Sequence, residues 1–362
     1  MSIGVVLGSF SPLHIGHMSL IYKAKKSNDK VVVVVCGFKK DKGEKVGIPL
    51  SLRTKLVTET FKNDPDIKVF EMDDNKLGIA GYDDQWEIWM ANCVERINML
   101  FNTSNVEAKN FYVSEKEYQK AIDEFRDKNV WAYYCDRTEI PISATMIREN
   151  PIKYWSYIAE PFRPYFQKKI LVIGTASEGK TTLTKDLCTM FGLEGTYEFG
   201  HEAMEVRKES DEIPTDQHLT FNDFKDFLDV QYARNTEITK RPTPIRICDS
   251  DASTTMMYAV DYAIDERYDL TQEECSKLMN YAEENNMFIN YDKIFVVPPQ
   301  GKFVQDGTRD MLKSSMEERK NQYQILMNIL QEHYNYDKFI YLREGYLKNF
   351  ETAMKEILKM IE

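Results

Sequence analysis

Apolar positions along the chain form two kinds of pattern. Short, continuous apolar runs are typical of strands buried on both faces of a parallel sheet, and apolar positions three and four apart indicate amphipathic helices. The two patterns alternate along the whole sequence. Strands are predicted at 3–7, 30–36, 67–71, 110–113, 130–134, 170–173, 196–198, 245–248, 294–297 and 338–341. Helices are predicted between them, among others at 17–26, 50–61, 85–101, 115–126, 180–191 and 347–361.

This alternation predicts an α/β fold with mainly parallel sheets. The chain has 362 residues, enough for two domains that each bury a core. A segment rich in proline and aromatic residues lies between 149 and 169, and its aromatic content argues against a flexible linker. We therefore expect domains at 1–158 and 169–362, joined by a packed linker at 159–168.

Charge and cysteine content narrow the class of protein. The formal net charge is -11, and no run of Lys and Arg is long enough to form a basic face, which argues against a nucleic-acid partner. The six cysteines include no Cys-x-x-Cys pair, so we expect reduced thiols and a cytoplasmic protein. No apolar stretch approaches the ~20 residues of a membrane helix, so membrane insertion is not expected.

The first predicted strand leads into a loop with two histidines, Gly8-Ser9-Phe10-Ser11-Pro12-Leu13-His14-Ile15-Gly16-His17. The glycines permit close backbone approach, and His14 and His17 share one face at a helix start. A helix N-terminus has free N–H groups and a partial positive charge, which together bind polyphosphates. The pattern therefore indicates a site that stabilises charge when a phosphate oxygen attacks the α-phosphorus of ATP.

A second segment, Ile142-Ser143-Ala144-Thr145-Met146-Ile147-Arg148, supports this interpretation. Ser143 and Thr145 are suited to capping a helix and to assisting phosphate binding. Arg148 could reach the same phosphates with planar, bidentate contacts.

The second half contains Gly174-Thr175-Ala176-Ser177-Glu178-Gly179-Lys180-Thr181, which fits the P-loop pattern at every fixed position. It lies between a predicted strand and a predicted helix, as the pattern requires. Loop N–H groups would hold the phosphates of ATP, Lys180 would bridge the β- and γ-phosphates, and the Thr181 hydroxyl would bind Mg²⁺. The predicted ATP-binding residues here are Gly174, Ser177, Gly179, Lys180, Thr181 and Thr182.

Acidic residues follow two other predicted strands of this half. Asp249 is predicted to organise Mg²⁺, and Asp251 to position a substrate. Glu198 is a candidate base or substrate clamp. Residues 306–309 suggest a mobile lid whose Arg309 closes over the transferring phosphoryl group, whereas Arg319 is expected to pair with Glu317 or Glu318.

The two motifs of the first half resemble those of the HxGH nucleotidylyltransferases, and in detail those of the nicotinamide-mononucleotide adenylyltransferases. The resemblance implies a Rossmann-like domain in which His14, His17 and Arg148 bind ATP phosphates, helped by Gly8, Ser9, Phe10, Gly16, Ser143 and Thr145. It also implies that Trp86 stacks on a nicotinamide ring, although Trp86 and Trp89 also fit a helix core. Asn75 and Arg53 are weaker candidates for the same substrate pocket.

The order of the two site types resembles the NadR family over almost the whole chain. That resemblance implies a bifunctional enzyme that phosphorylates nicotinamide riboside with ATP and then adenylylates the mononucleotide to NAD, with Mg²⁺ as cofactor and a homo-oligomeric assembly. Alternatives are a nucleoside kinase with a weak or differently specific adenylyltransferase half, and a sensor of NAD and ATP that regulates riboside uptake.

Three departures from the family pattern bear on these expectations. The first strand begins at Ile3, so we expect no N-terminal helix-turn-helix segment and no repressor role. His201 stands where the family pattern leads us to expect Arg, which puts substrate contacts there in doubt. Ala176 stands where Glu is usual, a change that leaves phosphate binding intact.

Overall fold

The computed structural model describes residues 1–78, 85–101, 106–136, 140–209, 216–305 and 310–362. The chain forms two compact units, Met1–Phe166 and Gln167–Glu362. The division falls inside the predicted linker 159–168, because residues 160–166 form a short 3-10 helix whose Phe162 and Phe166 are buried in the first unit.

The first unit is a five-stranded parallel sheet with helices on both faces. Its strands are β1 (Ser2–Gly8), β2 (Lys30–Gly37), β3 (Ile67–Asp73), β4 (Ala108–Val113) and β5 (Val130–Tyr134), in the order β3-β2-β1-β4-β5. Its helices are α1 (Ile15–Ser27), α2 (Leu50–Phe61), α3 (Trp86–Phe101), α4 (Lys116–Glu124) and α5 (Ala144–Glu149). The strand order reverses between β1 and β4, and such a switch point opens a crevice at the carboxyl ends of the strands.

The second unit repeats this architecture. Its strands are β6 (Lys168–Gly174), β7 (Glu194–Thr196), β8 (Ile245–Asp249), β9 (Lys293–Val297) and β10 (Phe339–Tyr341), all parallel, in the order β10-β9-β6-β8-β7. Its helices are α6 (Lys180–Phe191), α7 (Phe199–Glu209), α8 (Phe221–Thr236), α9 (Ala252–Ala263), α10 (Gln272–Glu284), α11 (Met316–His333) and α12 (Tyr346–Ile361).

The most deeply buried strands explain why the α/β prediction is confirmed. In β2, Val31 to Val35 are fully buried, with both faces of the sheet covered by apolar clusters. In β6, Ile170 to Ile173 are fully buried in the same way. Such strands produce uninterrupted apolar runs in the sequence, which is the pattern that predicted them.

One strand was predicted two residues out of place. The predicted strand 196–198 is β7, Glu194–Thr196, and Glu198 lies beyond its end. This short edge strand is fixed by pairing with β8, with Glu194 opposite Arg246, and none of its three residues is fully buried. Across the described residues, no helix is both long and apolar enough to span a membrane.

Candidate active sites

The histidine loop of the first unit ends in a reciprocal cap on α1. His14 is the N-cap residue, and its Nδ1 accepts a hydrogen bond from the backbone N–H of Gly16 at 3.1 Å. The Nδ1 of His17 in turn accepts from the backbone N–H of His14 at 3.4 Å. A neutral imidazole that accepts at Nδ1 carries its proton on Nε2, so both rings present Nε2–H as a donor.

The two imidazoles are held face to face. Their ring centroids are 3.7 Å apart with an angle of 28° between the planes, and Phe10 packs edge-on against His17 at 5.0 Å. A Cβ on Gly16 would lie 3.1 Å from the His14 ring, so glycine leaves the ring the space it needs. The prediction that the two histidines share one face is confirmed by this geometry.

A cavity of about 160 Å³ opens in front of these rings, at the switch point between β1 and β4. Its lining includes the predicted residues Gly8, Ser9, His14, Gly16 and His17. The lining also includes Lys23 of α1, and Ser114, Glu115, Tyr118, Cys135 and Asp136 from the segment after β4, from α4 and from the segment after β5. These additional lining residues were not predicted from the sequence, because they fit no motif.

Arg148 is tied to the histidine loop. One of its terminal nitrogens donates to the Ser11 carbonyl at 2.6 Å and the other to the Thr145 hydroxyl at 2.8 Å. Partial burial lowers the pKa of Arg148. Ser143 caps α5 by accepting from Met146 N–H at 3.2 Å. Arg148, Ser143 and Thr145 lie outside the described lining of the cavity, so in this conformation they support the loop.

The segment after α5 also holds the histidine loop. His14 forms an isolated antiparallel bridge with Ile158, and the Ala159 N–H donates to the Leu13 carbonyl at 3.0 Å. Ile158 itself accepts from Arg163 Nε at 3.1 Å. Residues 158–166 are therefore part of the first site's support, a role that composition alone did not indicate.

The predicted substrate residues of the first half are dispersed. Trp86 begins α3 and packs against Tyr118 and Trp89 at centroid distances of 5.4 and 5.6 Å. Tyr118 lines the cavity, so Trp86 lies one side chain from it. Asn75 is exposed and bonds to Asp73, and Arg53 is fully buried against Asp41. The structure therefore brings neither Asn75 nor Arg53 to a described cavity.

The P-loop of the second unit connects β6 to α6. Gly174 ends the strand next to Val297 of β9, and a Cβ there would lie 2.1 Å from the Val297 carbonyl oxygen. Ser177 and Gly179 have φ of 67° and 76°, the left-handed conformation that turns the loop. Lys180 is buried and donates to the Thr175 carbonyl at 3.0 Å.

Asp249 faces the start of α6 from the end of the neighbouring strand β8. The Thr181 hydroxyl donates to its Oδ2 at 2.5 Å, and its buried Oδ1 has no hydrogen-bond partner among the described residues. Burial raises the pKa of Asp249 to about 6, with an opposing effect from Lys180 and a further rise from Glu198. A carboxylate with an open oxygen beside a hydroxyl is a donor set that fits Mg²⁺.

Glu198 and Asp251 flank the end of β8, where Asp249 meets Thr181, and the two residues have different hydrogen-bond partners. Glu198 accepts from the Ser250 hydroxyl at 3.3 Å and lines a cavity of the second unit that begins at the P-loop. Asp251 caps α9 by accepting from Ser253 N–H at 2.9 Å, and it accepts from the Tyr334 hydroxyl at 2.5 Å. Burial raises the pKa of Asp251 to about 6. Both oxygens of Asp251 are engaged, so it holds α9, and the residue also lines the cavity that begins at the P-loop.

A cavity of about 610 Å³ extends from the P-loop into the helical part of the second unit. The phosphate end is lined by Ser177, Gly179, Lys180, Thr181, Thr182 and Glu198. The far end is aromatic, with walls from α8, α9 and the residues near α11, and it includes Phe224, Phe227, Tyr258, Tyr262 and Phe303. The space accommodates a nucleoside next to a polyphosphate.

The expectation for Arg319 was wrong. It pairs with the P-loop residue Glu178 at 2.6 Å and not with Glu317 or Glu318. The partners are 141 positions apart, so sign and spacing along the sequence could not reveal the pair. Arg309 and the rest of the predicted lid, 306–309, lie outside the described residues.

Comparisons with known proteins agree with this geometry. A cytidylyltransferase-like family model matches residues 5–150, and an AAA domain model matches residues 169–346. The trifunctional NAD biosynthesis/regulator protein NadR of Salmonella typhimurium strain LT2 is 25% identical over 359 residues, 95% of this chain and 79% of the relative.

Two crystal structures match nearly the entire chain. One is NadR protein in complex with NR, with a TM-score of 0.83, 29% identity and coverage of 99% of this chain and 96% of the other. The chain is therefore similar to NadR proteins over nearly its whole length. The second structure, NadR protein in complex with NAD and AMP-PNP, has a TM-score of 0.81 and 29% identity, and covers 100% and 97% of the two chains. These NadR matches span both units, as the motif order predicted.

Proposed function

We propose that the chain is a bifunctional NAD salvage enzyme: the second unit phosphorylates nicotinamide riboside, and the first adenylylates the resulting mononucleotide. The observation that carries this proposal is that each unit has a strand–loop–helix junction whose residues suit phosphate binding, and that NadR matches the chain across both units. The NadR complexes with NR and with NAD and AMP-PNP support nicotinamide riboside and ATP as substrates of this chain and NAD as its product.

In the kinase reaction, the riboside 5′-oxygen attacks the γ-phosphorus of ATP, the bond from that phosphorus to the bridging oxygen breaks, and ADP leaves. Lys180 and the loop N–H groups stabilise charge on the phosphate oxygens. Glu198, at the cavity wall beside Ser250, accepts the proton of the hydroxyl. Thr181 and Asp249 would hold Mg²⁺, which supplies charge neutralisation at the β- and γ-phosphates.

In the adenylyl transfer, a phosphate oxygen of the mononucleotide attacks the α-phosphorus of ATP and pyrophosphate leaves. No covalent enzyme intermediate is needed, so the unit must orient the reactants and stabilise developing charge. His14 and His17 supply two Nε2–H donors from stacked rings at the N-terminus of α1, where the helix dipole adds to their effect. Trp86 provides an aromatic surface next to Tyr118 for the nicotinamide ring.

The decisive experiment is a product assay on purified protein. MgATP and nicotinamide riboside are supplied, and the mononucleotide, NAD, ADP and pyrophosphate are followed. The Lys180→Ala variant is expected to form the mononucleotide from the riboside about 10²-fold more slowly or worse. The same variant should adenylylate added mononucleotide at the wild-type rate. His17→Ala is expected to accumulate the mononucleotide and reduce NAD formation by a similar factor of about 10².

Matched controls are Lys62→Ala and Lys277→Ala, which remove one exposed cation from each unit. Both should behave as wild type. If wild-type protein forms neither product from the riboside nor NAD from added mononucleotide, the enzymatic proposal fails and nucleotide sensing becomes the hypothesis to test.

A further inference from the structure

A buried ion pair connects the P-loop to two other segments of the second unit. The side chains of Glu178 and Arg319 are 4% and 2% exposed, and Arg319 Nη1 donates to Glu178 Oε1 at 2.6 Å. The other terminal nitrogen, Nη2, donates to the Gly301 carbonyl at 2.6 Å. Arg319 lies in the first turn of α11, and Gly301 lies in the segment that follows β9, so one guanidinium joins three parts of the chain.

The second carboxylate oxygen of Glu178 is also occupied. Its Oε2 accepts from the backbone N–H groups of Gln300 and Gly301 at 3.1 and 3.2 Å. The adjacent Ser177 hydroxyl donates to the Val304 carbonyl and accepts from the Val304 N–H, both at 3.2 Å. Two consecutive P-loop side chains therefore bind residues 300–304, which precede the predicted lid at 306–309.

Charge explains why the arginine is needed. A P-loop binds polyphosphate through N–H groups and a lysine, so a carboxylate within the loop repels the ligand unless it is neutralised. Glu178 lines the cavity beside Lys180, whereas Arg319 is not part of the described lining. Its guanidinium therefore faces Glu178 and Gly301, and not the space that the transferred phosphoryl group would occupy.

We propose that Arg319 is a positioning residue for nucleotide binding: it neutralises Glu178 and ties the P-loop to residues 300–304, without contacting the nucleotide. This inference rests on the proposed function only in placing a nucleotide on the P-loop. It does not depend on which hydroxyl compound accepts the phosphoryl group.

The test compares the MgADP affinity of single and double variants that remove the two charges, each made in the full chain and titrated with MgADP. ADP is used because it is the product of the proposed kinase reaction. The Lys180→Ala variant measures how much MgADP binds at sites other than the P-loop. Arg319→Gln leaves a buried carboxylate beside the phosphates and is expected to weaken MgADP binding by about tenfold or more. Glu178→Gln alone removes the repulsion and should change affinity by less than about threefold.

The double variant Glu178→Gln/Arg319→Gln separates this inference from a direct contact. If Arg319 acts through Glu178, the double variant recovers affinity to within about threefold of wild type. If affinity stays at the level of Arg319→Gln, Arg319 contacts the nucleotide and the inference is overturned. It is also overturned if Arg319→Gln binds MgADP as wild type does.

A conservative variant covers the case in which Arg319→Gln does not fold. Arg319→Lys keeps the charge but cannot contact Glu178 and Gly301 as a planar fork, so MgADP binding should weaken by about threefold to tenfold. In kinase assays the KM for ATP should rise while the KM for the riboside stays unchanged. Wild-type MgADP affinity in Arg319→Lys would contradict the inference. A protein that binds MgADP as described but phosphorylates no riboside would refute the proposed substrate alone.

Discussion

Gly174→Ala tests whether the P-loop depends on the close approach of two neighbouring strands. A Cβ at this position would lie 2.1 Å from the carbonyl oxygen of Val297, its register partner on β9. Observed Cβ contacts essentially never fall below 3.0 Å, so β6 and β9 must separate by about 1 Å at the start of the loop. The obstacle is backbone in the centre of a parallel sheet, so rotation of a side chain cannot relieve it.

Overpacking of this kind costs about 1–3 kcal/mol in the free energy of unfolding. For a unit of this size, each kcal/mol corresponds to a fall of about 2–4 °C in Tm. The second unit should therefore melt several degrees earlier, and its kinase kcat/KM should fall because the loop N–H groups are displaced. Adenylylation of added mononucleotide should not change.

The distribution of tryptophan makes the two units separable by spectroscopy. All four tryptophans, Trp86, Trp89, Trp131 and Trp155, lie in the first unit. Tryptophan fluorescence should show an unchanged transition in Gly174→Ala, and far-ultraviolet circular dichroism should show an additional early loss of structure.

Gly200→Ala is the matched control for Gly174→Ala. Gly200 lies in α7, and the nearest atom to its added Cβ is 3.8 Å away. In a helix this change is neutral or stabilises by up to about 1 kcal/mol. A Gly174→Ala protein with wild-type melting and wild-type kinase activity would refute the reasoning.

Three further predictions concern buried charges. Arg53→Met leaves buried Asp41 unpaired and should destabilise the first unit by about 3–5 kcal/mol, as measured by tryptophan fluorescence in urea; a loss below about 1 kcal/mol would contradict this. Burial raises the pKa of Asp74 to about 6. The free energy of unfolding therefore falls as the pH rises from the ordinary pKa of an aspartate to about 6, because the buried carboxyl group is forced to ionise. Asp74→Asn should therefore raise the urea midpoint of the first unit at pH 8 and not at pH 3, and an equal effect at both would exclude ionisation as the cause. Asp251→Ala removes the cap of α9 and the acceptor for buried Tyr334, so unfolding of the second unit followed by circular dichroism should show a loss of about 1–3 kcal/mol, and an unchanged midpoint would exclude this structural role.

The sequence predicted the elements that bury apolar residues on a regular period. Helices α2 and α6 and strand β5 have the predicted bounds, and the central strands differ at their ends by one or two residues. The short edge strand β7 was displaced by two residues because pairing with β8 fixes it, and pairing partners are not visible in the sequence.

In the candidate sites, too, local patterns were predictable from the sequence and long-range contacts were not. The histidine and P-loop motifs are local, because each must place backbone N–H groups and side chains within one turn, and spacing alone indicated His14, His17, Lys180 and Thr181. Arg148 supports the histidine loop and lies outside the cavity lining, whereas Asp251 caps α9 and also lines the second cavity. The pair of Glu178 with Arg319 depends on three-dimensional packing, which no short spacing rule represents.

The hydrogen bonds between the histidine loop and residues 158–166 determine how the two halves can be produced separately. A fragment that ends at 158 retains the histidine motif but loses the Ala159 contact to Leu13 and the buried rings of Phe162 and Phe166. A fragment that ends at Phe166 retains all of them, and the sequence from Gln167 onward retains β6 with its complete P-loop. Cloning boundaries for the separate adenylyltransferase and kinase therefore belong after Phe166, eight residues beyond the boundary that the sequence suggested.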